Sequence, residues 1–165
     1  MMMQLSCDVI RSLQGRTLVT AESCTGGGIG AALTAVPGSS AVYKGGIISY
    51  VNAVKEEMLK VDPCVLDKIG AVSAPVAEAM ATGVRQLLRA DVAVSVTGLA
   101  GPGGDDYGNP VGTVYIGYCD ANHVLHEKYC FSGDREAIRV QAIEAALQLI
   151  LRYHSANDGG THESN

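Results

Sequence analysis

Tryptophan is absent from the chain and phenylalanine occurs once, so a platform for stacking bases would have to be built from the seven tyrosines. Runs of lysine or arginine are also missing. The net charge of −5 argues against a nucleic-acid binder that works by neutralising phosphates. Charged residues make up only 18% of the chain, below the usual quarter. No stretch reaches the roughly 18 apolar residues of a membrane span, and the start MMMQLSCDVIRSL lacks the apolar run of a signal peptide. Cys7, Cys24, Cys64, Cys119 and Cys130 are odd in number and contain no CxxC pair. Free thiols in a reducing cytosol are therefore expected, with neither a membrane nor a nucleic acid as partner.

What remains is a chain for one ordinary domain: 165 residues, 47% hydrophobic and with 20 glycines. Leu5, Val9, Ile10 and Leu13 form a helical stripe over 4–14 that stops at Gly15. A short buried strand is expected at 17–21, a helix at 28–35, a β-rich segment at 41–51 and a helix at 52–59. Gly45-Gly46 inside the β-rich segment suggests a bulge or a close approach. Ser73 is positioned to cap a helix over 74–89. An apolar strand at 91–97 precedes a glycine-rich loop; strands at 113–119 and 124–131 read as a hairpin, and 134–153 as a long amphipathic helix. Strands alternating with helices predict an α/β fold: a single three-layer α/β/α domain over 1–154, with a mixed, mostly parallel sheet of about five strands. A polar, frayed tail is expected over 155–165.

Four stretches carry chemistry. In TAESCTGGGIGAAL (20–33) a strand runs through glycines into a helix, an arrangement that attracts anions. It is neither a Walker A loop, which needs GK[ST], nor a GxGxxG fingerprint. Ser23 or Thr25 could simply cap the helix, or Ser23 could be a nucleophile beside backbone N–H groups. Cys24 is a rival nucleophile, but no histidine is obviously in reach, and His123 and His126, three apart on a strand, face opposite ways. Buried packing suits Cys24 better. In ISYVNAVK (48–55), Lys55 is a candidate general base if burial beside Val51 and Val54, or the nearby cation Lys44, lowers its pKa, with Tyr50 orienting or bridging it. The loop TGLAGPGGDDYGNPVGT (97–113) follows an apolar strand, at the edge where α/β sheets bind ligands. In SGDREAIR (132–139), Arg135 and Arg139 lie one turn apart at a helix start, where the dipole disfavours cations unless an anion is bound there.

Together AESCTGG (21–27), the run from Tyr43 to Lys55, GLAGPGG (98–104) with PVGTV (110–114), and GDREAIR (133–139) resemble the CinA C-terminal domain family, in order and spacing, from about residue 5 to 152. The resemblance implies hydrolysis of the carboxamide of nicotinamide mononucleotide to nicotinic acid mononucleotide and ammonia, in bacterial pyridine nucleotide recycling, without cofactor or metal. It places the family's Ser–Tyr–Lys set on Ser23, Tyr50 and Lys55. Substrate contacts are expected from Glu22, Thr25, Gly26, Gly27, Gly45, Gly98, Ala100, Gly101, Pro102, Gly103 and Arg135, with Arg135 on the phosphate. Glu22, next to Ser23 on an extended segment, should point away from the reacting serine. Asn109 stands where the family leads one to expect a lysine. The molybdopterin-binding-like N-terminal domain of full-length CinA has no counterpart in these residues, so its activity is not expected. The family name refers to competence and DNA damage, but the acidic chain offers no DNA-binding surface. A non-catalytic nucleotide-binding module and an amidase for another nucleotide-like amide are the alternatives. The alanine-rich apolar helices suggest a homo-oligomer.

Overall fold

The computed structural model describes residues 1–157, and the rest of the expected tail lies outside the described residues. Along the chain come α1 (Met2–Ser12), β1 (Leu18–Glu22), α2 (Gly28–Thr34), β2 (Tyr43–Ile48), α3 (Asn52–Leu59), α4 (Pro63–Lys68), α5 (Ala74–Leu88), β3 (Val92–Gly98), β4 (Thr113–Cys119), β5 (Val124–Cys130) and α6 (Arg135–Asn157). The strands form one sheet in the order β2-β1-β3-β4-β5. β1 is parallel to both β2 and β3, and β4 is antiparallel to β3 and β5. Four of the five strands therefore point the same way, in a mixed sheet.

Side-chain alternation splits the core in two. Leu18 of β1 joins Val9, Ile10, Ile29, Leu33, Ile138 and Leu149 from α1, α2 and α6 on one face. Val19 and Ala21 face the other way, onto Leu59, Val76, Met80 and Val84 from α3 and α5. The period of two in a strand thus makes three layers from one sheet. The β1–β2 connection contains α2 and the β2–β3 connection contains α3 to α5, so the chain leaves the carboxyl ends of β1 and β2 toward opposite faces. That divergence opens a crevice at the sheet's edge.

Three local readings need correction. Ser73 does stand before α5, but its hydroxyl donates back to Gly70 O (2.9 Å) instead of accepting from the helix. The β-rich segment shortens to β2, because Ser39–Ala41 forms a 3₁₀ turn. α4 was not anticipated from the periodicity, although Asp62 accepts from Cys64 N (2.8 Å) and Pro63 opens the helix, a cap legible in the residues. At Gly45-Gly46 both suggested features occur. The register slips so that Leu18 pairs with Tyr43 but Val19 with Gly45, and a Cβ on Gly46 would lie 2.2 Å from Thr20 Oγ1.

α3, which carries Lys55, is seated on α5 by the absence of a side chain at Gly83. A Cβ there would lie 2.1 Å from the backbone oxygen of Leu59. Ordinarily Gly→Ala in a helix is favourable by up to about 1 kcal/mol. Here the obstruction is backbone, so Gly83→Ala is expected to destabilise by about 1–3 kcal/mol, read as a lower urea midpoint. An unchanged or higher midpoint would show that α3 is free to move off α5.

Candidate active site

Ser23 follows β1 directly and is nearly buried. Its N–H donates to Val96 O of β3 (3.0 Å), so the serine is fixed to the neighbouring strand. Its carbonyl accepts from Gly26 N (3.0 Å), closing a tight turn. Gly26 and Gly27 have φ of +59° and +98°, which side-chain-bearing residues rarely adopt. That requirement accounts for the glycines after CysThr: they let the chain reverse from β1 into α2.

Alternation puts Glu22 on the opposite face. Its carboxylate accepts from Thr25 Oγ1 (2.6 Å), Ile29 N (2.8 Å) and Gly30 N (3.1 Å). A buried acid is thereby satisfied by the free N–H groups of α2.

Lys55 projects from α3 and is 1% exposed. Its Nζ lies 3.0 Å from Ser23 Oγ, 2.7 Å from Ser49 O and 3.3 Å from Tyr50 O. Burial lowers its pKa from 10.5 to about 8, opposed only weakly by the Cys24 thiol. Val51, expected to help bury it, is instead 56% exposed. Lys44 reaches Arg89 O rather than the site. The three partners suit both charge states. An ammonium can donate to all three oxygens. A neutral amine can donate to the two carbonyls and accept from the one partner able to donate, the serine hydroxyl. Burial also pushes the Cys24 thiol up, to about 11, so the rival nucleophile is un-ionised at neutral pH. The described histidines lie elsewhere: His123 on Asp120, His126 on Glu78, His154 on Arg16 and Ser12 O.

A cavity of about 610 Å³ opens at this edge, a size typical of small-ligand sites. It brings together Ser23, Tyr50, Lys55 and Arg135 with Gly98, Ala100, Gly101, Pro102 and Gly103. It does not include Glu22, Thr25, Gly26, Gly27 or Gly45. Glu22, Gly27 and Gly45 line instead a smaller groove of about 240 Å³ beside β2. Tyr50 differs from expectation in detail. Its hydroxyl accepts from Arg135 Nη2 (3.0 Å), and it is the Tyr50 carbonyl that meets Lys55. Arg135 also donates to Gly101 O (2.7 Å), tying the glycine loop to α6.

Asn52, Asp106 and Tyr107 line the cavity as well and were not singled out from the sequence. Their signal was available only as membership of the loop and of α3. The loop is held by its own side chains: Asn109 Nδ2 donates to Asp105 Oδ2 (2.7 Å) and Val72 O (3.3 Å), and Tyr107 donates to Asp67 O (2.7 Å). Asn109 thus braces the loop. No group of three or more His, Cys, Asp or Glu among the described residues is placed to hold a metal ion.

A three-layer α/β/α domain with a buried serine–lysine contact at the carboxyl edge of its sheet defines the class. The chain belongs to the CinA C-terminal domain family, whose model matches residues 3–154. It is 47% identical over 152 residues to the nicotinamide-nucleotide amidohydrolase PncC of Enterobacter agglomerans, covering 90% of this chain and 93% of that protein. A PncC of Pseudomonas putida is 47% identical over 135 residues, covering 82% and 84%. Against CinA-like proteins, such as those of Cyanothece, Thermosynechococcus vestitus and Parasynechococcus marenigrum, the chain spans only about a third of their length (32%, 36% and 33%). The crystal structure of a competence-damaged protein (CinA) superfamily protein from Klebsiella pneumoniae superposes with a TM-score of 0.92 at 34% identity, covering 94% of this chain and 99% of that one.

The lowered Lys55 pKa has a sign that stability can test. Between about 8 and 10.5 the unfolded chain holds the Lys55 proton and the folded chain does not. Stability from this group therefore rises with pH across that window and is flat below it. The stability of the wild type relative to Lys55→Met, from urea midpoints at pH 7 to 10, should increase from pH 8 upward. A difference independent of pH would mean that the amine titrates normally in the fold.

Proposed function

We propose that this protein is a nicotinamide-nucleotide amidohydrolase that hydrolyses the carboxamide of nicotinamide mononucleotide through Ser23, with Lys55 as general base. The observation that carries the reading is the 3.0 Å contact between Lys55 Nζ and Ser23 Oγ in a buried site. PncC relatives covered over 84% and 93% of their length support the substrate.

Neutral Lys55 takes the Ser23 proton as Oγ bonds to the amide carbon and the C=O electron pair moves to oxygen. The tetrahedral intermediate collapses, the C–N bond breaks, and the Lys55 ammonium returns its proton to nitrogen, so that ammonia leaves. Water then attacks the acyl-serine, giving a proton to Lys55; the bond from the acyl carbon to Oγ breaks, Lys55 returns that proton to Ser23 Oγ, and the product acid loses its own proton to solvent as the carboxylate. Ser23's own N–H is committed to Val96 O, so other donors must hold the oxyanion. Tyr50 anchors Lys55 through its carbonyl and Arg135 through its hydroxyl.

Arg135 is the proposed phosphate ligand. It lines the cavity at the start of α6, its partners are a carbonyl and a phenol, and it forms no ion pair among the described residues. Gly98, Ala100, Gly101, Pro102 and Gly103 supply the wall along which the flat pyridinium ring lies. No helix among the described residues is long and apolar enough to cross a membrane, in keeping with a cytoplasmic enzyme. Exposed Ile48, Tyr50 and Val51 beside the cavity support a homo-oligomer.

Purified protein incubated with nicotinamide mononucleotide should release ammonia. Ser23→Ala and Lys55→Ala should each lose a hundredfold or more (~10²–10⁴ for general-base assistance). The double variant should be little worse than the poorer single one, because the two act as a unit. Wild-type kcat/KM should rise with pH through one ionisation near 8. Binding without ammonia release above the Ser23→Ala background would leave only a nucleotide-binding module. Arg135→Ala should raise KM by about ten- to a hundredfold. An unchanged KM would move the phosphate to the loop glycines.

A further inference from the structure

Arg139, one turn after Arg135 on α6, reaches the nucleophile's turn from behind. Its Nε donates to Cys24 O and its Nη2 to Thr25 O, both at 3.1 Å. Its guanidinium packs beside Gly26, where a Cβ would lie 3.6 Å from Nη2. No carboxylate forms an ion pair with it among the described residues. A half-buried arginine thus spends its fork on two consecutive carbonyls immediately after the reactive serine.

The peptide group is planar and trans, so a carbonyl and the N–H of its own peptide point in opposite directions. Drawing the Cys24 carbonyl toward Arg139 turns the Thr25 N–H away from α6. Drawing the Thr25 carbonyl the same way turns the Gly26 N–H onto Ser23 O, where it closes the turn. The Thr25 N–H itself meets no acceptor among the described residues; Thr25 is fully buried and stands just behind the cavity wall, which Cys24 and Ser23 before it line. The positive charge behind the turn also acts on anions in front of it, since it favours ionisation of the Cys24 thiol, against the larger effect of burial.

We propose that Arg139 is a positioning residue for acyl transfer at Ser23: by gripping the Cys24 and Thr25 carbonyls it aims the Thr25 N–H, backed by its own charge, at the oxyanion that forms when Ser23 attacks. It touches neither substrate nor Ser23, and acts only through the backbone. The proposal rests on Ser23 being the nucleophile assigned above, but not on the identity of the amide. It separates the two arginines of α6: Arg135 faces the ligand, whereas Arg139 holds the machinery.

The test compares wild type with Arg139→Lys, which keeps the charge but has no fork to span two carbonyls, and with Arg139→Gln. Two rates are read on each protein: ammonia release from nicotinamide mononucleotide, and labelling of Ser23 by a fluorophosphonate, which builds negative charge on oxygen at the same serine whatever the substrate. Both variants should keep a thermal midpoint within a few degrees of wild type. Their kcat and labelling rate should fall by about ten- to a hundredfold, somewhat less than the ~10²–10³ for deleting an oxyanion donor outright, while KM stays within about threefold. Added guanidinium should restore part of the rate to Arg139→Gln. A wild-type labelling rate in Arg139→Lys overturns the proposal, as does a loss confined to KM or one that merely follows the thermal midpoint. Wild type that labels at Ser23 but releases no ammonia refutes the substrate reading, while the labelling ratio still decides on Arg139. Wild type that does not label at Ser23 refutes both.

Discussion

Everything at the sheet's carboxyl edge is organised around one amine taken out of water. Burying an unpaired ammonium is costly, and the protein meets that cost partly with oxygens and partly by letting the group give up its proton. The two carbonyls at Lys55, of Ser49 and Tyr50, come from the chain just beyond β2. The hydroxyl comes from the residue just beyond β1. They converge because the parallel pairing continues past the strand ends: Glu22 pairs with Ile48, and Ser49 N then donates to Glu22 O at 2.8 Å. Slip that register by one residue and the ladder holding Lys55 loses its carbonyls.

The alternation that builds the layers also sorts the chemistry. Glu22 and Ser23 are neighbours in sequence with opposite tasks. Glu22 meets the N–H groups of α2 on the face of α1, α2 and α6, and Ser23 meets Lys55 of α3 on the other side of the sheet. A carboxylate beside Lys55 would hold the ammonium and raise its pKa. Sent to the far face, the acid serves the turn and leaves the amine free to be neutral. Glycines on either side of the sheet make this compact. Gly28 admits Ile143 of α6, and Gly117 admits the Ala77 backbone of α5; an added Cβ would come within 2.5 Å and 2.3 Å of them.

Much of this was legible in the residues. Apolar runs and turn residues located the sheet strands, the hairpin and the five longer helices, and the AESCTGG and ISYVNAVK stretches led to the serine and the lysine. Other features depend on distances between segments far apart in sequence. Ser23 and Lys55 are 32 residues apart, and nothing local fixes the β1–β2 register, bulge included, that aligns them. Reading Val51 as cover for Lys55 failed because Val51 stands at the N-terminus of α3, where its side chain is left outside. The Tyr50 hydroxyl belongs to Arg135 because α6, 85 residues later, begins there. α4 was missed for a different reason: its six residues are too few for periodicity to show.

Cys24 and Lys55 show how one buried environment acts on a thiol and on an amine, which is the physical ground for proposing serine rather than cysteine chemistry. Desolvation favours the neutral form of every ionisable group, whatever its sign. For the thiol, neutrality means inertness, since only the thiolate is a strong nucleophile, and a pKa of about 11 puts thiolate out of reach. For the amine, neutrality means a free lone pair, and a pKa of about 8 makes that form accessible at near-neutral pH. A hydroxyl needs no prior ionisation if a base accepts its proton as the bond forms. One buried environment therefore keeps the cysteine un-ionised and brings the neutral lysine within reach, and the hydroxyl 3.0 Å from that lysine is the one the proposed mechanism uses.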